Sequence, residues 1–490
     1  MVAEQRILAG PDLESWSPPA LLDRKRWIAV VVLCLGQLML TLDATVANVA
    51  LPAIQRDLHF SQSSLAWVVN GYLITFGGLL LLAGRLGDLL GRRRVFLIGL
   101  VVFTLASVLC GLATTRELLI GARCLQGAAA ACDSAMILGI LVTIFPDPRD
   151  TARAMSIYTF VAVAGGTLGL LVGGALTQAL SWHWIFFINL PIGVVALVLG
   201  QRLIPSHQGA GLRQGVDSLG AALVTATPAL GVYTIIQASD SGWVSSRTIG
   251  LGAAAMVMAL LFVLLESRIA NPLVPLRVFR SRNVVGANLI RAFLYVGLFG
   301  LFFLGALYLQ HVQGYSALQT GFAFLPMTMM VAGFSLFVTR QVMARLGART
   351  TLITGCILIA AGTLLFARAT VDGSYVTEVL PVFLLAGAGG GLAFMSSVTL
   401  AMAGAGPRDS GLISGLANVS TQIGGAVGVA VLASLSSSRT NALLARGHTT
   451  RDALTSGYDL GFLVAGGCAV TAVIVAAAVL RATPRLAITR

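Results

Sequence analysis

The 490-residue sequence predicts an all-α polytopic membrane protein, and three observations carry that prediction. Hydrophobic residues make up 57% of the chain and charged residues only 10%, with a mean hydropathy of +0.89, whereas a soluble domain carries about 25% charge. The apolar residues gather into fourteen runs, about 35 residues per run, which matches roughly 20 to 25 residues of helix plus a short loop. Almost every basic residue sits between those runs, where a membrane protein keeps its charges.

The spans are expected to begin near residues 27, 65, 95, 117, 153, 183, 216, 248, 284, 317, 350, 376, 410 and 458, each delimited by Pro, Gly and Arg. Before span 1 lies a polar segment, 1–26, that ends in Arg24, Lys25 and Arg26. The apolar run that follows is too long for the core of a signal peptide, so it is an uncleaved first span. An even number of spans puts both termini on one side. With the N-terminus in the cytoplasm, 23 of the 32 Arg and Lys residues fall inside. Seven fall outside (Arg56, Arg116, Arg247, Arg368, Arg439, Arg446 and Arg451), and Arg123 and Arg291 lie within spans. That bias places both termini and the loops at 85–94, 202–215 and 268–283 in the cytoplasm.

Arg85-Leu86-Gly87 after span 2 recurs as Arg345-Leu346-Gly347 after span 10, a shift of eight spans. Two six-span halves separated by two extra spans, a 6+2+6 plan, produce that shift, and internal repeats of this kind are typical of secondary transporters. The expected division is a cytoplasmic segment 1–26, a six-span half 27–204, a linker with two extra spans 205–268, a second six-span half 269–480 and a cytoplasmic tail 481–490. Residues 437–457, polar with three Arg, read as a mobile outer loop.

Several function classes are excluded. Lys25 is the only lysine and no Gly-rich run precedes it, so a phosphate-binding P-loop, and with it an ATP-driven pump in this chain, cannot be built. The net charge of +13 belongs to membrane-flanking loops and implies no nucleic acid. All six cysteines fall inside apolar runs, which implies no disulfide framework. The histidines at 59, 183, 207, 311 and 448 stand singly, without metal-ligand spacing, so neither metal nor cofactor is expected. A membrane-embedded enzyme would need His, Cys or carboxylates clustered at one depth, which the sequence lacks.

The motifs point to transport. Residues 84–94, Gly-Arg-Leu-Gly-Asp-Leu-Leu-Gly-Arg-Arg-Arg, resemble the signature of the major facilitator superfamily between spans 2 and 3. In this loop Gly84 and Gly87 allow close helix approach, and Asp88 can accept hydrogen bonds at a neighbouring helix N-terminus. The resemblance implies that Asp88 and Arg92, with Gly84 and Gly91, latch the cytoplasmic gate. Residues 42–52, Leu-Asp-Ala-Thr-Val-Ala-Asn-Val-Ala-Leu-Pro, are similar to the first-span signature of the superfamily's 14-span drug:proton antiporter branch. Matches continue through Arg123-Cys-Leu-Gln126-Gly127, Trp184 to Gly193, Tyr308 to Pro326 and Gln422-Ile-Gly424-Gly425, so the likeness covers about residues 27 to 480. In span 5 the branch's Gly-x-x-x-Gly-Pro-x-x-Gly-Gly becomes Gly165, Gly169, Leu170, Gly173 and Gly174; tight packing against another helix is retained, but the proline is lost. His183 stands where the family has Arg between two tryptophans. The resemblance implies the major facilitator fold and a proton-coupled exporter of a lipophilic, drug-like or antibiotic compound, cationic in one reading. Its setting would be the bacterial plasma membrane, its neighbours lipid, and its state monomeric. A uniporter or importer is the alternative, favoured by Leu170.

A charge within a span costs roughly 2.5 to 3.5 kcal/mol on insertion scales, which makes Asp43, Arg123, Asp133 and Arg291 the candidate functional residues. Helical rotation puts Arg123, Gln126 and Asp133 on one face of span 4, expected to line the cavity. Asp43 is expected to turn toward span 4, away from a stripe of Gln37, Thr41, Thr45 and Asn48 whose role stays open. Asp43 and Arg123 lie at similar depth, roughly 9 to 13 Å from the outer face. The expectation is that Asp43 carries the transported proton and Arg123 tunes its affinity. Asp133 and Arg291 both fall in the inner half of the core, and a charge pair across the two halves is expected. The alternative is that Asp133 binds cationic substrate while Arg291 reaches the headgroups.

Overall fold

The computed structural model describes residues 23–145, 147–205, 209, 211, 217–269, 272–402 and 410–480. Most of segment 1–26, much of the 202–215 loop and the 481–490 tail lie outside the described residues.

Among the described residues, fourteen helices are long and apolar enough to cross a membrane. They are α1 (Arg26–Asp57), α2 (Ala66–Leu90), α3 (Arg92–Gly111), α4 (Arg116–Ile144), α5 (Arg149–Ala179), α6 (Trp184–Leu203) and α7 (Leu219–Ala238). After these come α8 (Ser246–Glu266), α9 (Arg282–Val312), α10 (Ala317–Leu346), α11 (Ala348–Phe366), α12 (Tyr375–Met402), α13 (Leu412–Leu444) and α14 (Thr450–Val479). Their N-termini are stopped by the expected chemistry: Thr115, Ser281 and Thr449 accept backbone N–H bonds at the starts of α4, α9 and α14, and Ser316 with Gln319 forms a reciprocal capping box on α10.

The expected outer loop at 437–457 needs correction. Helix α13 continues to Leu444 and α14 begins at Thr450, so only residues 445–449 connect them. A helix bonds its own backbone in water as well as in lipid, so polar side chains there mark the membrane boundary and not the end of the helix.

The pairing of helices repeats after eight. In the first six, α1 packs on α5 and α6, α2 on α4, and α3 on α4 and α6. In the last six, α9 packs on α13 and α14, α10 on α12, and α11 on α12 and α14. The sharp turns entering α3 and α11 are both made by glycine with positive φ, Gly91 at 94° and Gly347 at 83°. Gly347 is therefore the structural counterpart of Gly91 and not of Gly87, and the Arg-Leu-Gly echo lies one helical turn out of register at the correct junction. The two bundles meet through α2 against α13 and α5 against α10, while α7 lies on α2 and α13 and carries α8 at the periphery.

Candidate functional site

Asp43 on α1 and Arg123 on α4 are both shut away from the surface, at 0% and 1% exposure, and Arg123 Nη1 stands 2.6 Å from Asp43 Oδ2. Removing two such ions from water costs several kcal/mol each, so the pair needs every polar atom satisfied. Its surroundings supply partners for both Asp43 oxygens and for Nε and Nη1 of Arg123. Gln126, one turn along α4, donates from Nε2 to Asp43 Oδ1 at 2.7 Å and accepts from Arg123 Nη1 at 2.7 Å. Arg123 Nε donates to the Val68 carbonyl at 3.0 Å, and the guanidinium lies 4.5 Å from the Tyr72 ring centroid and 5.8 Å from that of Phe186. Asp43 and Arg123, expected at one depth, thus form one cluster with Gln126.

Two members of the cluster were missed from sequence. Ser107 of α3 accepts from Gln126 Nε2 at 2.7 Å and from Asn189 Nδ2 at 3.0 Å, and Asn189 of α6 also reaches Asp43 Oδ1 at 3.4 Å. Asn189 falls within the Trp184 to Gly193 match, and an amide inside an apolar span is the sequence signal that marks it; the structure buries it fully. The cluster draws on α1, α2, α3, α4 and α6 and lies inside the first bundle, so Gln126 does not line a central cavity as expected.

The stripe on α1 faces the other way, into α5. A Cβ at Gly165 would meet the Thr41 side chain, one at Gly169 the Thr45 side chain and the Leu42 backbone, and one at Gly173 would lie 3.0 Å from the Val46 backbone. Thr41 and Thr45 return their hydroxyl hydrogens to carbonyls of their own helix, and Gln37 accepts from the Tyr158 hydroxyl at 2.9 Å. The stripe is a packing seam. Gly174 differs: its Cβ would lie 2.7 Å from the Ala317 carbonyl oxygen of α10, and Gly321 abuts the Leu170 carbonyl in return. With Gln310 Nε2 donating to the Val49 carbonyl at 2.9 Å and Gln62 Nε2 to Ser436 Oγ at 3.3 Å, these contacts close the face opposite the termini.

At the face that carries the termini a cavity of about 800 Å³ opens between α2, α4, α13 and the segments flanking α7 and α8, bordered by Arg85, Asp88, Arg92, Asp217 and Arg277. Asp88 Oδ1 stands 3.3 Å from Arg92 Nη2, and Arg92 Nη1 donates to the Gly139 carbonyl at 3.0 Å and to Thr143 Oγ1 at 3.3 Å. These contacts tie α2 to α3 and α4; Leu412 and Gly415 at the start of α13 line the same cavity, with Gly415 against the Leu81 side chain of α2. Gly87 packs on the Met136 side chain as a close-approach glycine should, but Gly84 has open space before it, a correction to its expected role.

Asp133 and Arg291 are not paired. Asp133, at 0% exposure, turns to α3, where its carboxyl group fills the notch left by Gly99. Arg291, 2% exposed, is held in the second bundle: Nε donates to the Ala417 carbonyl at 3.1 Å, Nη1 to Ser397 Oγ at 3.0 Å and Nη2 to Thr421 Oγ1 at 2.9 Å. It does not reach the headgroups either. Each residue is absorbed by the interior of its own bundle. Among the described residues no group of His, Cys, Asp and Glu could hold a metal ion.

A sequence model described as the Major Facilitator Superfamily matches residues 33–429. The chain is 37% identical over 445 residues to a puromycin resistance protein of Streptomyces alboniger, covering 90% of this chain and 88% of that one. It is 38% identical over 416 residues to a cephamycin export protein of Amycolatopsis lactamdurans, covering 84% and 85%. Among solved structures, the in meso crystal structure of a POT family transporter superposes with a TM-score of 0.69 at 15% identity over 92% of this chain and 97% of that one.

Proposed function

We propose, from the premise that this chain belongs to the Major Facilitator Superfamily, that it exports antibiotic-like small molecules across the bacterial plasma membrane in exchange for protons. Relatives named for puromycin resistance and cephamycin export support the exporter reading. The observation that carries the coupling is the fully buried Asp43–Arg123 pair with Gln126 and Asn189 as further donors. A carboxylate so placed keeps its charge only while those donors hold it. A movement that parts Asp43 from Arg123 leaves an uncompensated charge, which a proton relieves.

The contacts support alternating access. Residues 27–204 and 269–480 act as two bodies carried around the α2–α13 and α5–α10 interfaces, with 205–268 as an insert. The closed face is the outer one and the cavity face is cytoplasmic, which puts both termini inside, as the Arg and Lys distribution supports. The conformation described is then open to the cytoplasm. A lipophilic substrate enters there, Asp88 and Arg92 are released from α13, and Asp43 has given up its proton. The molecule works as a monomer in contact with lipid.

Inverted vesicles carrying an internal pH dye test this. Puromycin, a cephamycin and other antibiotics are added to vesicles with an acidic lumen. The expected result is uptake of at least one compound with proton exit, and Asp43→Asn should bind that compound yet lose pH-driven accumulation. Transport with no proton movement would replace the antiporter by a uniporter. Asp43→Asn accumulating substrate at the wild-type rate would remove Asp43 from the coupling.

A further inference from the structure

We infer that Asn70 biases the protein toward opening its outer face: its amide, sealed without a partner in the seam between α2 and α13, favours the parting of the two bundles that exposes it. The inference rests on the alternating access proposed above and adds to it a group that opposes the outer closure.

Asn70 is 0% exposed, and neither Nδ2 nor Oδ1 has a hydrogen-bond partner. Other asparagines in the spans use their amide hydrogens. Asn48 and Asn288 donate to carbonyls of their own helices at 3.1 and 2.8 Å, and Asn189 donates to Ser107 Oγ at 3.0 Å.

The place of Asn70 in the seam follows from its neighbours along α2. Gly77 lies two turns and Leu81 three turns further on, each within about 20° of Asn70 around the helix axis. Both meet α13: a Cβ at Gly77 would lie 2.9 Å from Gln422 Cβ, and one at Gly415 would lie 2.8 Å from Leu81 Cδ2. At the outer end Gln62 Nε2 donates to Ser436 Oγ at 3.3 Å. The two helices therefore run antiparallel, and Asn70 faces the stretch of α13 between Gln422 and Ser436. Within that stretch Ala426, Val429, Ala430 and Ala433 lie within about 60° of the face that Gly415 presents, and all four are 0–1% exposed. None has a side-chain donor or acceptor, and their backbone groups are bonded within the helix.

An amide buried with no partner is unfavourable by an amount worth about 5- to 150-fold in an equilibrium constant. Asn70 lies about 10 Å outward of Gly77, in the half of the seam that closes the outer face. The penalty exists while that face is shut, and it is relieved once the seam parts there and water reaches the amide. Two effects of opposite sign thus meet along one helix pair. Close packing at Gly77 and Gly415 draws the bundles together, and Asn70 keeps the outer closure from becoming too stable to leave.

Spin labels at Leu180→Cys and Gln319→Cys, both exposed, measure the outward-open fraction in the full chain, freed of its own cysteines and placed in lipid under conditions where both distances are seen. Asn70→Leu, close to asparagine in shape and without polar atoms, should lower that fraction at least fivefold. Asn70→Met, flexible enough to fit where leucine does not, should lower it too. The sign separates this role from packing, because a substitution that merely spoils a fitted seam loosens it and raises the outward-open fraction. An unchanged or raised fraction overturns the inference. If the parent protein gives a single distance at every pH and with every antibiotic tried, alternating access fails first, so the two failures are distinguishable.

Discussion

Gly174→Ala should open the outer face without unfolding either bundle. In the closed state a Cβ at position 174 would lie 2.7 Å from the Ala317 carbonyl oxygen and 2.8 Å from Leu318 Cα. Both atoms are backbone, so no side chain can swing aside and the helices must part by several tenths of an ångström. Overpacking of this kind costs about 1 to 3 kcal/mol. The clash exists only while α5 and α10 touch, so that energy enters the equilibrium between the two states and shifts it by about 5- to 150-fold toward the outward-open form. Gly165, Gly169 and Gly173 contact α1 within the same bundle, where the contact persists in both states. Substitutions there should lower stability and leave the equilibrium nearly unmoved. Spin labels at Leu180→Cys and Gln319→Cys, in protein lacking its own cysteines, report the outer separation. The expected result is a second, longer distance in Gly174→Ala that is minor in Gly173→Ala. Identical distance distributions in the two variants would refute the assignment of Gly174 to the seal.

Arg123→Gln should lower thermal stability by about 3 to 5 kcal/mol because it strands a buried carboxylate, and Asp43→Asn with Arg123→Gln should lose less than the single change; equal losses would mean the charges are not coupled. Gln126→Leu leaves Asp43 Oδ1 and Ser107 short of a donor and should cost about 1 to 3 kcal/mol, read as a lower unfolding midpoint in detergent. Thr449→Ala removes the cap that starts α14 and should cost about 1 kcal/mol, visible as faster hydrogen exchange at residues 450–453 and nowhere else. A cysteine placed at position 92 should escape an impermeant reagent added to intact cells, and strong labelling there would invert the topology.

The sequence was most informative along each helix and least informative between helices. The spans, their even number and the eight-span repeat follow from hydropathy and charge, which report how each residue meets lipid or water. Asp43 and Arg123 were legible as partners because a charged pair at one depth has few alternatives in an apolar setting. Asp133 and Arg291 met the same criteria of charge and depth, yet each is enclosed by its own bundle. Rotation about a helix axis says which residues share a face but not which neighbour that face meets. For Asp133 the deciding partner is an absence of side chain at Gly99 on another helix, and for Arg291 it is a set of neutral hydroxyl and carbonyl oxygens on α12 and α13. Neither leaves a mark at the charged residue itself. The α1 stripe, whose role the sequence leaves open, resolves for the same reason: the glycines of α5 lie against Thr41 and Thr45.

The closure at the outer face is made of glycine against carbonyl, joined by hydrogen bonds from neutral amides. Dispersion forces of this kind lose roughly a quarter to a half of their strength when a gap of about 0.5 to 1 Å opens. The arginine-rich edge at the opposite face attracts and repels over about 8 Å at physiological salt and over less as dissolved ions are added. The two ends of the molecule therefore answer to different variables. On the proposed topology the glycine-and-carbonyl end should be nearly indifferent to ionic strength, whereas the arginine-rich end should respond to it, so a change of salt alone should act on one end and leave the other as it was.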